Sequence, residues 1–346
     1  MEFRNNIQQE ALETALEFNR CGLNISVRLG KTKIGLNIAS NFKKVLVSYP
    51  SISILSSWKN DAEKFKIDIN HIDFTTHLSL NKYELNKYSC IILDEVDQVS
   101  EAQWEFIASQ KPKVIKALSG TFPTSGIKKK FIEEYCPIKY TIKLDDTIGK
   151  TSKDYEIIVH LLQPSIKQDI PLKSGKFWSE KSKIQFWENK YNKSRNFMDM
   201  LKLIQSIQNS STKLNYLKKL SDKIDRCLIF LETTKQCDDL PYYSYHSKIK
   251  VAEDNLKAFQ EGKINKLNCV KQLSAGISFP MLNECIILHA YASNNKTHQR
   301  LARCLQYTNE EKAKIHILCL DNTRDVSWVQ SGLAEFDKNK IHFIKV

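Results

Sequence analysis

Short apolar runs alternate with segments whose apolar residues recur at helical spacing along the first third of the chain. The helical spacing predicts helices over 6–20, 31–42, 54–65 and about 100–109. The short apolar runs predict strands near 24–27, 44–47, 72–76, 90–93 and 113–118. Alternation of this kind predicts a parallel sheet covered by helices.

The alternation stops over residues 145–215, where Lys, Ser, Asn and aromatic residues dominate. It then resumes, with predicted strands at 226–231, 267–271, 284–289 and 314–320 and a helix at 250–261. A chain of 346 residues has room for two domains. We therefore predict two α/β domains with parallel sheets flanked by helices, at 1–145 and 220–346, joined by a basic, mostly helical insert or linker at 146–219.

The chain is strongly basic, with 52 Lys and Arg against 39 Asp and Glu and a net charge of +13. Residues 151–220 hold 13 basic and 6 acidic residues, so +7 of this charge falls in one segment. Clustered positive charge is typical of proteins that bind nucleic acid. A Lys-rich composition that serves solubility is the alternative explanation.

Other features argue against a membrane, secreted or zinc-binding protein. No stretch approaches ~18 consecutive apolar residues, and the N-terminal segment lacks the basic-then-apolar order of a signal peptide. The nine cysteines form no CxxC pair, and several lie inside apolar runs. We expect a cytoplasmic protein without a disulfide framework or a structural metal.

A predicted strand runs directly into the segment NISVRLGKT (24–32), and a predicted helix follows. Backbone N–H groups at such a junction bind phosphate. Lys31, expected to face solvent until nucleotide arrives, would reach the β- and γ-phosphates, and Thr32 would hold Mg²⁺. The full motif requires glycine at position 25, where Ile25 stands. A GKT triplet alone also occurs in ordinary turns.

The segment SCIILDEVD (89–97) ends an apolar strand in two carboxylates. An Asp at a strand end holds Mg²⁺ in phosphoryl transfer, and a neighbouring carboxylate can polarise the attacking water. Alone, the segment would also fit a solvated acidic turn. Its position about 60 residues after the GKT loop makes the pair specific, and together they predict nucleotide hydrolysis with Mg²⁺.

These segments resemble those of superfamily 2 helicases and translocases, with features of the Snf2-like branch. The similarity continues in the right order through most of the chain. The segments that carry it are VLVSYPSISILSSWKNDAEKF (45–65), LDEVD (93–97), ALSGTFPT (117–124), RCLIFLETT (226–234), YHSKIKVAEDNLKAFQEGKINKLNCVKQLSAGISFP (245–280) and HQRLARCLQ (298–306). The resemblance implies two RecA-like domains with ATP bound between them and nucleic acid on a basic face.

The resemblance also implies roles for individual residues. The predicted ATP-binding residues are Gln9 (or its neighbour Gln8), Arg28, Leu29, Gly30, Lys31, Thr32, Lys33 and Gly276. The predicted catalytic residues are Asp94, which also holds Mg²⁺ with Thr32, the base Glu95, and Gln299 and Arg303 at the γ-phosphate. Ser119, Gly120 and Thr121 would couple hydrolysis to domain motion, and Pro50 would contact nucleic acid. The clustered positive charge of the insert, rather than the resemblance, predicts that Lys181, Lys183, Lys190 and Lys193 contact nucleic acid.

The last of these segments departs from the family pattern. Ala302 replaces a glycine, and Gln306 stands where a second arginine is expected. Arg303 is then the single arginine finger, unless Arg300 substitutes for the missing one.

The predicted function is an ATP-dependent DNA helicase or translocase, a monomeric motor whose small size fits a viral replication or recombination system in host cytoplasm. An RNA helicase, or a weakly hydrolysing nucleic-acid-binding protein that keeps the fold, remains an alternative. Aromatic residues interleave with lysines over 176–197. They would stack on bases or, the favoured interpretation, form the core of a small helical subdomain whose Lys face could still meet DNA.

Overall fold

The computed structural model describes the chain except for residues 1, 27, 172–174, 176, 271–278, 280–281, 292–296, 298–299, 302–303 and 306–310. The described chain forms two compact units that divide after Ser152. Each unit contains one large sheet in which every pair of neighbouring strands is parallel.

The helices and strands alternate through most of the described chain. The helices are α1 (Glu2–Glu17), α2 (Lys31–Ala39), α3 (Ser53–Phe65), α4 (Glu101–Gln110), α5 (Gly126–Tyr135), α6 (Glu180–Ser194), α7 (Phe197–Gln208), α8 (Ser211–Asp222), α9 (Thr234–Asp238), α10 (Ala252–Gln260) and α11 (Arg324–Gly332). The strands are β1 (Arg20–Ile25), β2 (Val45–Tyr49), β3 (Ile72–Thr76), β4 (Cys90–Asp94), β5 (Ile115–Ser119), β6 (Ile138–Ile142), β7 (Tyr155–Leu162), β8 (Gln168–Pro171), β9 (Phe177–Ser179), β10 (Cys227–Leu231), β11 (Tyr243–Tyr245), β12 (Lys266–Val270), β13 (Glu284–Ile287), β14 (Ala313–Leu320) and β15 (Ile341–Lys345).

The first sheet has the strand order β3-β2-β4-β5-β1-β6. Its central strands β2, β4 and β5 are buried at every position, which explains their continuous apolar sequences. Alternate residues point to opposite faces of the sheet. One face packs on α1, α2 and α3 through residues such as Ile7 and Trp58, and the other packs on α4 and α5 through Trp104 and Ile132. Helices on both faces leave the carboxyl ends of the strands as the open edge.

The second sheet has the order β11-β12-β10-β13-β14-β7-β15. Its strand β7 comes from the segment that the sequence analysis assigns to a separate linker. In the structure β7 pairs along its whole length with β14, from Tyr155 beside Ala313 to Leu162 beside Leu320. Segments α6, α7 and α8 are helical as predicted, and they contribute Ile184, Leu203 and Leu217 to the core of this unit. The division of the chain therefore falls near 152 rather than at 145 and 220.

The linker prediction fails locally because the polar residues that follow β7 obscure its apolar pattern. β7 alone reads YEIIVHLL and is buried at most positions. The interval 163–178 that follows is largely exposed where it is described, and it contributes only the short antiparallel pair β8–β9. When the residue composition is taken over both segments together, the polar interval conceals the apolar pattern of β7.

A buried chain of polar side chains crosses the second sheet. On β7, the Nε2 of His160 lies 3.0 Å from the Nδ1 of His316 on β14. The Nδ1 of His160 lies 3.0 Å from the hydroxyl of Tyr216 on α8. His316 Nε2 in turn lies 3.1 Å from the Glu284 carboxylate. Burial, helped by the nearby His316, lowers the pKa of His160 from 6.5 to about 4. The folded protein therefore keeps His160 neutral at neutral pH.

Acidification is expected to destabilise the protein through His160. Between pH 6.5 and 4 the unfolded chain takes up a proton at this residue that the folded chain does not, so the free energy of unfolding falls as the pH falls. The full effect is about 3 kcal/mol, from ~1.4 kcal/mol per pKa unit. Urea titrations between pH 7 and 4 should show a steeper loss for the wild type than for His160→Gln. Equal pH dependence in the two proteins would contradict this origin.

Candidate nucleotide-binding site

Three segments predicted to carry chemistry meet at the open edge of the first sheet. β4, β5 and β1 are neighbours in the sheet, and Asn24 on β1 pairs with Ser119 at the end of β5. Asp94, at the end of β4, pairs with Leu118. Because the carboxyl ends of parallel strands lie side by side, the loop before α2, the acidic turn after β4 and the turn after β5 form one site.

The loop between β1 and α2 has the geometry of an anion site. It passes through two left-handed residues, Arg28 at φ 68° and Gly30 at φ 84°. Helix α2 then begins at Lys31, and its N-cap residue Gly30 forms no side-chain cap hydrogen bond. The N–H groups of its first turn are therefore available to phosphate oxygens.

The missing glycine at position 25 has a structural explanation. Ile25 is the last residue of β1 and is fully buried, so the chain is still extended there. The loop leaves the sheet only after Ser26, whose N–H still donates to the carbonyl of Ile142 on β6. Arg28 and Gly30 supply the left-handed turns, and a glycine is not needed at 25.

Gln8 on α1, rather than Gln9, reaches the phosphate loop. Its Nε2 donates to the Leu29 carbonyl at 2.7 Å, whereas the exposed Gln9 bonds to Glu13 on its own helix. The buried Gln8 Oε1 has no hydrogen-bond partner among the described residues. A free buried acceptor beside this loop fits a donor group on a bound nucleotide base. Of the two glutamines that the sequence offers, Gln8 is therefore the one placed beside this loop.

Gly30 is required by its surroundings as well as by its backbone. A Cβ atom there would lie 2.6 Å from Gln8 Nε2 and 2.9 Å from Arg4 Nη2. The space above Gly30 is thus enclosed by polar side chains from α1. The residues of this loop fit a nucleotide: an uncapped helix N-terminus, a small cradle and an unpaired acceptor.

Acidic side chains crowd the turn after β4. Glu95, itself left-handed at φ 51°, pairs with Lys31 at 3.3 Å, and Trp58 Nε1 donates to Asp94 Oδ2 at 2.9 Å. Burial, then the negative charge of Glu95, raises the pKa of Asp94 to about 6 and that of Asp97 to about 7. Burial lowers the pKa of Lys31, but the neighbouring carboxylates outweigh it and the net shift is upward. Lys31 is therefore a charged partner of Glu95, not the free side chain that the sequence predicts.

The turn after β5 joins this group. The Ser119 hydroxyl lies 2.7 Å from both Asp97 Oδ1 and the Thr121 carbonyl, and the Thr121 N–H donates back to it at 3.1 Å. A Cβ on Gly120 would lie 3.3 Å from Lys31 Nζ, so this glycine lets the lysine pass close to the backbone. The structure thus places all three predicted coupling residues beside Lys31 and the acidic turn.

The site also fits a magnesium ion held mainly by its nucleotide. In the described part of the chain no group of three or more His, Cys, Asp or Glu side chains is arranged to hold a metal. Mg²⁺ typically uses one or two carboxylates with substrate phosphates and water. Asp94 and Thr32 would supply such a partial set. Burial is the main cause of the raised pKa values of Asp94 and Asp97, and the negative charge of Glu95, the second cause, is one that a divalent cation would offset.

Other predicted residues lie elsewhere or outside the described chain. Gly276, Gln299 and Arg303 lie outside the described residues, as does Gln306. The ammonium of Lys33 lies over the Phe65 ring at 4.7 Å, so its side chain leaves the phosphate loop.

Arg300 is described, and it is not free to act as a finger. Its guanidinium is buried, lies 2.9 Å from Glu232 and donates to the His289 carbonyl at 2.9 Å. The side chain is held within the second unit.

The residues predicted to contact nucleic acid have different surroundings. Lys181 and Lys193 are exposed, Lys183 and Pro50 are half-buried, and Lys190 pairs with Asp199 at 3.1 Å.

The neighbouring aromatic residues are divided between packing and exposure. Trp187 packs against the core of the second unit, which agrees with the packed interpretation, and Trp178 contacts Phe186 with ring centroids 5.0 Å apart. Phe197 remains 72% exposed.

The sequence analysis did not predict three side chains that lie in or beside the acidic turn. Trp58, His77 and Asp97 all contact residues of this turn or of the turn after β5. Trp58 was visible only as part of a family segment, and nothing in the local sequence around His77 indicates a site. Their partners lie 17 to 36 residues away in sequence.

Two parallel sheets flanked by helices, with a phosphate loop and an acidic turn at the open edge of the first, define the RecA-like helicase-type fold. Within this fold, residues 212–308 match the family described as "Helicase conserved C-terminal domain". No curated protein sequence matches the chain. None of the described helices has both the length and the apolar character needed to cross a membrane.

Solved structures with this fold cover nearly the whole chain at low identity. The ATP-dependent Type ISP restriction-modification enzyme LlaBIII, bound to DNA, is 13% identical with a TM-score of 0.64, covering 98% of this chain and 31% of that chain. Dbp5 of S. cerevisiae, bound to RNA and ADP BeF3, is 13% identical with a TM-score of 0.60, covering 98% and 89%. The Hef helicase domain of Pyrococcus furiosus is 13% identical with a TM-score of 0.54, covering 95% and 97%. The chain thus spans about a third of the restriction enzyme.

Proposed function

We propose that this protein is an ATP-dependent nucleic-acid helicase or translocase that moves along DNA. The observation that carries the proposal is the pairing of Lys31 with Glu95 at 3.3 Å, which joins the phosphate loop to the acidic turn. Transfer of a phosphoryl group to water requires a cation and a carboxylate that contact the same substrate. Here the phosphate loop supplies the cation and the acidic turn supplies the carboxylate.

ATP binding exchanges the partners of Lys31. The phosphates of the nucleotide accept hydrogen bonds from the N–H groups of the first turn of α2, and they draw the Lys31 ammonium away from Glu95. Glu95 then holds the attacking water and takes its proton as the water oxygen bonds to the γ-phosphorus and the bond to ADP breaks. Mg²⁺, held by Thr32 and Asp94, would neutralise phosphate charge. Three further residues of the proposal lie outside the described part of the chain. Arg303, with Gln299, would stabilise the negative charge that develops on the γ-phosphate, and Gly276 would contact the nucleotide.

DNA is preferred over RNA as the track on sequence grounds. Segments 45–65 and 117–124 resemble the Snf2-like branch, and the +13 net charge suits either polyanion. The similar solved structures include LlaBIII bound to DNA and Dbp5 bound to RNA, so they favour neither. The exposed Lys181 and Lys193 are the best-placed phosphate contacts among the predicted lysines. We propose a monomeric cytoplasmic motor in a small, viral-type replication or recombination system.

One assay separates the candidate functions. ATP turnover is measured with single-stranded DNA, duplex DNA, forked DNA and RNA at one fixed salt concentration, since binding to nucleic acid depends steeply on salt. Stimulation by DNA above RNA supports the proposal, and the reverse identifies an RNA helicase. Binding of nucleic acid without turnover would identify a protein that keeps the fold but does not hydrolyse ATP.

Glu95→Gln provides the active-site control. The amide keeps the shape of the side chain but cannot take a proton, so turnover should fall by about 10²–10⁴-fold while ATP binding persists. Binding is measured with a fluorescent ATP analogue and turnover by phosphate release. Loss of binding together with turnover would mean that Glu95 holds the metal or the loop, and that the base lies elsewhere.

A further inference from the structure

We propose that Trp58 and His77 are positioning residues that fix Asp94 for magnesium, one through its carboxylate and one through its main chain. The inference rests on the proposed function, because it assigns a purpose to two side chains around the same acidic turn. Neither residue reaches the phosphate loop. Both act from the β2–β3 side of the sheet.

Trp58 holds the carboxylate in one orientation. Its indole Nε1 donates to Asp94 Oδ2 at 2.9 Å, and the side chain is fully buried. The ring is fixed between Phe74, in an edge contact at 6.1 Å, and Gly35, where a Cβ would lie 2.4 Å from it. With Oδ2 occupied, Oδ1 is the oxygen left to face a cation.

His77 holds the main chain at the same residue. Its Nε2 lies 3.0 Å from the Asp94 carbonyl, which can only accept, so Nε2 carries the proton. On the other side of the ring, Nδ1 lies 2.7 Å from the Ser48 hydroxyl. This relay from β2 fixes the carbonyl immediately before Glu95, whose left-handed conformation needs such support.

Trp104 shows that the indole bond is specific to Trp58. Both tryptophans are fully buried in the first unit. Trp104 packs on α5 against Phe131, and its Nε1 has no hydrogen-bond partner among the described residues. Burial of an indole in this unit therefore does not by itself demand a partner. The two residues form a matched pair in which only one contacts the site.

The test compares Trp58→Phe with Trp104→Phe in the full chain. Binding of a fluorescent, non-hydrolysable ATP analogue is titrated with Mg²⁺, and thermal unfolding is followed in parallel. Loss of a residue that orients a metal ligand typically weakens metal affinity by roughly 10–100-fold. We expect the half-saturating Mg²⁺ concentration to rise by that factor in Trp58→Phe, with nucleotide affinity in the absence of Mg²⁺ unchanged. Trp104→Phe should match the wild type in both.

His77 supplies the second arm if Trp58→Phe does not fold. His77→Phe removes both hydrogen bonds of the relay and should weaken the Mg²⁺ response. His77→Gln, which keeps a donor and an acceptor, should recover part of it.

The failures of this inference and of the proposed function are distinguishable. A Mg²⁺ response as strong in Trp58→Phe and His77→Phe as in the wild type overturns the positioning roles alone. A wild-type protein whose nucleotide binding ignores Mg²⁺ overturns the magnesium assignment of the proposed function itself.

Discussion

Lys31→Ala is expected to abolish ATP turnover and to weaken ATP binding about 10–100-fold. The ammonium forms an ion pair with Glu95 of the acidic turn, and its side chain is 15% exposed. A hydrogen bond to a charged group contributes about 1.5–3 kcal/mol, and each 1.4 kcal/mol is about tenfold in affinity. Its loss also removes a positive charge that interacts with Glu95, Asp94 and Asp97.

Lys33→Ala is the matched control, two residues further along the same helix. Its ammonium lies over Phe65, so removing it should leave turnover near the wild-type value. Turnover is measured by phosphate release, and circular dichroism checks that both variants fold. Wild-type turnover in Lys31→Ala would remove the assignment of the nucleotide site.

Arg300→Ala is expected to produce the largest loss of stability, about 3–5 kcal/mol. Arg300 and Glu232 are buried together, with side chains 3% exposed, and the Tyr291 hydroxyl donates to the second oxygen of Glu232. Burial raises the pKa of Glu232, but the charge of Arg300, the nearby His289 and the hydrogen bonds to Tyr291 and Arg300 together outweigh it and hold the pKa below its ordinary value. Without the arginine, a carboxylate is left buried and unpaired.

The double variant Arg300→Met with Glu232→Gln separates this cause from lost packing. Removing both charges should restore much of the stability that Arg300→Ala loses, because a neutral pair needs no counter-charge. Urea unfolding measures all three proteins. A fully stable Arg300→Ala that has lost only its nucleic-acid-stimulated turnover would instead make Arg300 the arginine finger.

The predictable parts of the site are those encoded in short segments. The GKT loop and the DEVD turn each follow an apolar strand, so their places at neighbouring strand ends follow from the rules for parallel sheets. The unpredictable parts are contacts between distant segments. The bond from Trp58 to Asp94 spans 36 residues, and the relay through His77 depends on three separate strand ends. No local pattern specifies which side chain will point at which.

The choice of Gln8 over Gln9 was within reach of sequence reasoning. The buried residues Ile7, Gln8, Ala11 and Ala15 share one face of α1, at the three- and four-residue spacing of a helix. Gln9 lies off that face, beside the exposed Glu13. Arg300 is different, because a charged residue in a polar segment reads as exposed. Only the tertiary structure shows that Arg300 is buried in an ion pair with Glu232, which lies 68 residues earlier in the sequence.

The place of β7 in the second sheet sets the order in which the chain can fold. β7 precedes the rest of its sheet in sequence, yet it lies between β14 and β15, whose residues follow more than 150 positions later. During synthesis the first unit has all its described strands once residue 142 has emerged, whereas β7 must wait for both neighbours. Pairings this distant form slowly. A fragment that began at residue 220 would lack the strand that joins β14 to β15, so the natural starting point for expressing the second unit is Lys153.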